Sequence, residues 1–209
     1  MALELLELAL SVRWFLLVVV ICVLFYRPVR DDLLPNVAGL RAGEVELSFA
    51  RDSIDAALEL AEKSPQWKVE VSSRDKGQVL RRAKKHLQIF RDAEVLWVDD
   101  HPENNFNEQV MFRQLRVRTQ TAQSTEEALE ILRNRQFDLV ISDIARGDEA
   151  TAGLRFLEQF RSENKTTPVI FYIGVLAPEK GVPAQAFGIT NRPDELLHLT
   201  LDALERTKC

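Results

Sequence analysis

Two adjacent carboxylates, Asp99 and Asp100, follow directly on Val95-Leu96-Trp97-Val98, four residues that suit a buried strand. A third, Asp143, closes the apolar run FDLVIS. Negative charges at the end of apolar strands need a partner. Three carboxylates brought to one crevice repel one another, and a hard divalent cation with oxygen ligands, most simply Mg2+, relieves that repulsion. Such an ion also neutralises an incoming phosphoryl group, so that one carboxylate can attack phosphorus. This chemistry requires that the strands ending at Asp99 and at Asp143 be neighbours. His101, between the pair and Pro102, reads as a turn residue rather than a ligand, and Trp97 as core.

The elements that would position these groups begin at residue 94. EVLWV reads as a strand and Asn104 to Leu115 as a helix; VRTQTA reads as a strand. Ser124 opens a capping box with Glu127 ahead of the helix TEEALEILRN. FDLVIS is a near-continuous apolar strand, LRFLEQFRSE an amphipathic helix and PVIFYIG another buried strand. A short segment from Ala184 to Phe187 leads into GIT, and PDELLHLTLDALERT closes as a helix with Leu196, Leu197, Leu201 and Leu204 on its apolar face. Strand and helix alternate five times over. Short crossovers between doubly apolar strands predict an α/β fold with a five-stranded parallel sheet covered on both faces. Ligands of such sheets bind outside the carboxyl ends of the strands, where the strand order reverses.

Upstream, residues 9–26 (ALSVRWFLLVVVICVLFY) are apolar except for Ser11 and Arg13. As a helix they would measure roughly 27 Å, just short of a bilayer core. Trp14 and Tyr26 sit near the ends as interfacial aromatics do, and the exit through Tyr26-Arg27-Pro28 does not resemble a signal-peptide cleavage site. The expectation is a single-pass membrane anchor. Arg27 and Arg30 after it, against Glu4 and Glu7 before it, place the C-terminal part in the cytoplasm. Residues 31–43 read as a linker, and residues 44–73 as strand, helix, strand, with Asp52 capping the helix. Residues 76–91 predict a strongly basic helix, with Val79, Leu80, Ala83, Leu87 and Phe90 near one face. Its basic face suits solvent, anionic headgroups or a docked protein. Residues 44–92 thus form a juxtamembrane segment ahead of a domain at 94–209. A net charge of -5 gives no footprint for nucleic acid. Two cysteines, Cys22 and Cys209, and three scattered histidines leave no disulfide framework and no zinc cluster.

Residues 94–209 resemble the receiver domain of two-component response regulators. The resemblance rests on VLWVDD, on STEEALEILRN followed by FDLVISDI, on TPVIFYIG and on NRPDELL. It implies a flavodoxin-like fold, Mg2+ held by Asp99 and Asp100, a phosphoryl group accepted by Asp143, and the main-chain carbonyl of Ala145 completing the metal shell. Two departures accompany it. Ile173 stands where the family carries a Thr or Ser hydroxyl, and Arg192 stands where it carries a lysine. Arg192 keeps the charge with a different reach, or simply caps the last helix. The family's aromatic switch position falls on Ile189, and Thr190 and Asn191 lie nearby as substitute donors.

The expected function is a membrane-anchored signalling protein rather than an enzyme, with Asp143 phosphorylated in a Mg2+-dependent way. Its donor would be a histidine kinase or phosphotransfer protein, and the resemblance is compatible with a homodimer. The alternative keeps the fold and drops the switch: a pseudo-receiver that binds a protein partner without phosphorylation. A phosphatase with an aspartate nucleophile fits less well, because that chemistry favours D-x-D and His101 follows the pair.

Overall fold

The computed structural model of the chain describes residues 72–208 except Lys165, together with Ser48, Arg51, Asp52, Asp55 and Ala56. The chain divides into two units, residues 1–44 and 45–209, and every described residue belongs to the second. The expected membrane span at 9–26, the linker at 31–43 and most of residues 44–71 lie outside the described residues. Among the described residues no helix is long and apolar enough to cross a membrane. Ser48, expected in a strand, is helical, as are Arg51 and Asp52. A short alternating run cannot be told from the first turn of an amphipathic helix by pattern alone.

Five strands form one parallel sheet: β1 (Glu94–Val98), β2 (Arg118–Ala122), β3 (Leu139–Ser142), β4 (Val169–Tyr172) and β5 (Gly188–Thr190), in the order β2-β1-β3-β4-β5. Strands β3 and β4 are buried at every position, which is why their sequences read as continuous apolar runs. Strand β2, at the edge, is Thr-rich and half exposed. One face of the sheet is covered by α3 (Phe106–Gln114) and α6 (Pro193–Lys208), the other by α4 (Thr125–Asn134) and α5 (Ala152–Glu163). Successive residues of β1 divide between the layers: Val95 and Trp97 enter the core with Leu197 and Leu201, while Leu96 and Val98 enter that of Phe156 and Phe160. Ser124 caps α4 by accepting from the Glu127 N–H at 3.1 Å. The Glu127 carboxylate reaches back to the Gln123 N–H, one residue before the cap.

Two expectations need correction. The crossover from β4 to β5 contains no α-helix, only a 3-10 turn at Pro178–Lys180. Pro178, Gly181 and Pro183 break the backbone every few residues there, and Gly181 adopts a φ of 64°. Strand-helix alternation is therefore interrupted at the fourth crossover. The basic helix expected over 76–91 is two helices, α1 (Ser73–Lys85) and α2 (Leu87–Phe90), separated at His86.

These two helices do not form a body apart from the domain expected at 94–209. Val79, Ala83 and Phe90 are buried in the same core as Leu201 and Leu204 of α6, so the packing boundary lies at residue 72 or before, not at 92–94. Charges brace this contact. Arg82 pairs with Asp202 and with Glu205 (3.2 Å), His86 with Glu205 (3.2 Å), and Lys208 donates to the Arg91 carbonyl at 3.1 Å. The apolar face of α1 is thus turned to α6, while Arg81, Lys84 and Lys85 are exposed. Because Phe90 is fully buried, Phe90→Ala is expected to cost roughly 3–5 kcal/mol. Urea unfolding of the full-length chain measures this, and a loss under about 1 kcal/mol would show that α2 is peripheral to the core.

Candidate functional site

Strand β1 pairs with β3 along their lengths, with Val98 opposite Ser142. The residues that follow, Asp99 and Asp143, therefore emerge side by side at the carboxyl end of the sheet, and the Asp143 N–H donates to the Val98 carbonyl at 3.0 Å. This is the adjacency that the carboxylate chemistry required. Asp99, Asp100, Asp143 and Ala145 line one open cleft of about 480 Å3 with Asn104, Gly147, Tyr172, Ile173 and Gly174. That is room for a small ion, its waters and a phosphoryl group.

Each carboxylate is held by hydrogen bonds. Asp99 is 7% exposed; its Oδ1 accepts from the His101 N–H at 2.7 Å and its Oδ2 from Asn105 Nδ2 at 2.7 Å. Asp100 Oδ2 accepts from the Gly147 N–H, and Asp143 Oδ1 from the Ile144 N–H, both at 2.7 Å. Burial raises the pKa of Asp99 against the pull of these donors. Asp143 is pushed up to about 6, first by burial and then by the charges of Asp99 and Asp100. His101 rises above its ordinary value through its hydrogen bond to Glu103 and the nearby Asp100; it lies at the exposed rim, as a turn residue should.

The donor set is one of carboxylate and carbonyl oxygens, which suits Mg2+. Among the described residues no three His, Cys, Asp or Glu side chains stand close enough to hold a metal ion as placed. Mg2+ asks for less than that: it keeps several waters and takes one or two carboxylates together with phosphate oxygens. The residues present fit the ion in chemistry, without a preformed cage.

The other expected residues are dispersed. Arg192 does not line the cleft. Its guanidinium donates to Asp194 Oδ2 at 2.6 Å and to Asp75 Oδ2, on α1, at 3.3 Å. Thr190 Oγ1 accepts from the Arg192 N–H at 3.0 Å, and neither Thr190 nor Asn191 lines the cleft. Ile173 lines it without a donor, and Ile189 packs half-buried beside the second core.

Sequence reasoning missed several supports. Asn105 holds Asp99. Glu108, buried on α3, accepts from the Tyr172 hydroxyl at 2.7 Å, and burial raises its pKa. A Cβ on Gly153 would come within 2.3 Å of the Asp143 carbonyl, so α5 can start against the Asp143 loop only with glycine there. Arg146 is 7% exposed and donates to the Asp143 carbonyl at 2.9 Å. The string ARGDEA offers no periodicity that would mark its arginine as buried.

The pKa of Asp143 carries a sign for stability. The folded chain keeps a proton up to about pH 6 that the unfolded chain releases near 3.8. Stability without divalent ions therefore falls as the pH rises through that window. Asp143→Asn is expected to raise the unfolding free energy at pH 7.5 by about 1–3 kcal/mol, a gain that shrinks from pH 6 toward 4. Urea titrations in chelator at several pH values measure it. A variant less stable than the parent at pH 7.5 contradicts a cost of ionising Asp143 in its buried, negatively charged surroundings.

Residues 95–189 match the family model of the response regulator receiver domain. No curated protein matches the chain. Among solved structures, the receiver domain of the Francisella response regulator 1452 is 22% identical, with 56% of this chain and 99% of that one covered, at a TM-score of 0.50. The chemotaxis response regulator CheY4 of Vibrio cholerae is 27% identical over 54% of this chain and 98% of that one, at 0.45. TrrA from Thermotoga maritima, solved in complex with Mg2+ and BeF, is 23% identical over 53% and 98%, at 0.47. The likeness to the Francisella domain is one of fold; the sequence family is carried by the matched segment. Residues 95–189 of this chain are a response regulator receiver domain, a module of two-component signalling.

Proposed function

We propose that this receiver domain accepts a phosphoryl group on Asp143. Asp99, Asp100, Asp143 and the Ala145 carbonyl would hold Mg2+, which supplies positive charge to the transferring phosphoryl group. Receiver domains in general bind Mg2+ and exchange phosphoryl groups with histidine kinases or phosphotransfer proteins, and such a protein is the proposed donor. The observation that carries this reading is the placement of Asp143 beside Asp99 at the carboxyl end of neighbouring strands, in one cleft with Asp100 and Ala145. The Ile144 N–H fixes one oxygen of Asp143. With a pKa of about 6, the carboxylate is ionised and nucleophilic at neutral pH. Its attack on phosphorus forms an acyl phosphate as the donor's leaving group departs with its electron pair.

A second reading has its own observations. Ile173 puts a methyl-bearing side chain where a hydroxyl is expected, and Arg192 is engaged by Asp194 and Asp75 away from the cleft. A domain without these two contacts can serve as a phosphorylation-independent interaction module.

Incubation of the full-length chain with Mg2+ and acetyl phosphate, a small phosphoryl donor, separates the two. The first reading expects about one alkali- and hydroxylamine-labile phosphate per chain, lost in Asp143→Asn and with chelator. Retention of the label in Asp143→Asn would sink it; no label, with partner binding intact, favours the second. The apolar run 9–26 supports a further part of the proposal, attachment to a membrane with the receiver in the cytoplasm. The chain should then stay in the membrane fraction at alkaline carbonate pH, and its release there would contradict an integral span.

A further inference from the structure

Arg146 lies three residues beyond Asp143 and is 7% exposed. Its Nη1 donates to Ser142 Oγ at 2.8 Å and to the Asp143 carbonyl at 2.9 Å, and its Nη2 donates to Thr125 Oγ1 at 2.7 Å. The guanidinium lies over the Phe156 ring, 5.9 Å from its centroid. Reciprocal main-chain hydrogen bonds to Glu149, both 3.0 Å, fix the backbone of the loop. Every one of those side-chain acceptors is neutral. A buried arginine that serves packing alone is ordinarily paired directly with a carboxylate, because an uncompensated buried charge costs several kcal/mol. Among the described residues no carboxylate forms an ion pair with Arg146. The charges it feels most are those of Asp143, Asp100 and Asp99, acting at a distance. Two further arginines at this end of the sheet among the described residues are already paired, Arg192 with Asp194 and Asp75 and Arg155 with Glu149.

We propose that Arg146, which borders the neighbouring cleft with Asp100 and not the acidic cleft itself, is a fixed cation behind the acidic cleft, a positioning residue that holds the Asp143 main chain and sets the charge balance around it. The proposal rests on the reading of Asp143 as phosphoacceptor beside a divalent ion. A guanidinium cannot be discharged at working pH. Its charge therefore opposes the divalent cation and favours the anionic phosphoryl group, with opposite signs at one site.

That opposition gives the test. Calorimetric titration of the full-length chain at low ionic strength would measure MgCl2 affinity, then beryllofluoride affinity at saturating Mg2+. Arg146→Gln keeps a donor for Ser142 and the Asp143 carbonyl but loses the charge. It is expected to bind Mg2+ on the order of tenfold tighter and beryllofluoride on the order of tenfold weaker. A merely structural arginine would weaken both ligands when replaced, and that result, or no change in either, overturns the proposal. Arg146→Lys keeps the charge without the planar fork. Both affinities should stay near the parent's, and their joint loss likewise overturns it, even should Arg146→Gln not fold. If parent and Arg146→Gln both fail to bind Mg2+, the divalent-ion reading falls and takes this inference with it. If both bind it equally, this inference falls alone.

Discussion

The parallel pairing of β1 with β3 is the constraint on which the site depends. It places the residues after Val98 and Ser142 next to each other at one end of the sheet. With β2 displaced to the edge, Asp99 and Asp143 follow two strands that are direct neighbours in the sheet. Strands β1, β3 and β4 are covered on both faces, so the apolar residues that build the sheet also desolvate the carboxylates that end β1 and β3. Packing and repulsion are thus one arrangement. The core stabilises the fold, and part of that stabilisation offsets the cost of holding like charges together.

The cations around this end of the sheet are distributed unequally. Arg192 emerges after β5 and is claimed by the start of α6 and by α1. Arg146 emerges after β3 and is drawn under the loop, against Ser142, Thr125 and Phe156. One arginine therefore belongs to the outer helix contact and the other to the main chain behind the acidic cleft. An arginine suits both places for different reasons: its fork can serve two carboxylates at once, or several neutral acceptors while remaining charged.

Much of this was legible in the sequence. Continuous apolar runs announced the buried strands, Ser124 and Glu127 announced the start of α4, and the double aspartate and Asp143 announced a cleft at the strand ends. What escaped has common physical causes. Periodicity finds apolar faces but not their partners, so the stripe Val79, Ala83, Phe90 was read without its contact on α6. The β4–β5 crossover lost its helix to the backbone limits of Pro178, Gly181 and Pro183, a local veto that alternation of elements does not record. Arg146 and Gly153 lie in a loop and at a helix start. There the requirement comes from three-dimensional proximity to the Asp143 carbonyl and leaves no mark on spacing.

The attachment of α1 is unequal at its two ends. Toward its start, a contact with the receiver is the half-exposed pair of Asp75 with Arg192, an ion pair that solvent screens and weakens. Past its end, Phe90 is sealed in the core, worth about 1.5–3 kcal/mol for its ring. Such a hinge frays from the weak end first. Partial opening would leave Phe90 seated while Asp75 lets go, and Arg192 would then answer to Asp194 alone. The first turn of α1 is in that sense a latch on a single guanidinium, and the rest of the helix is the pin that keeps the latch within reach.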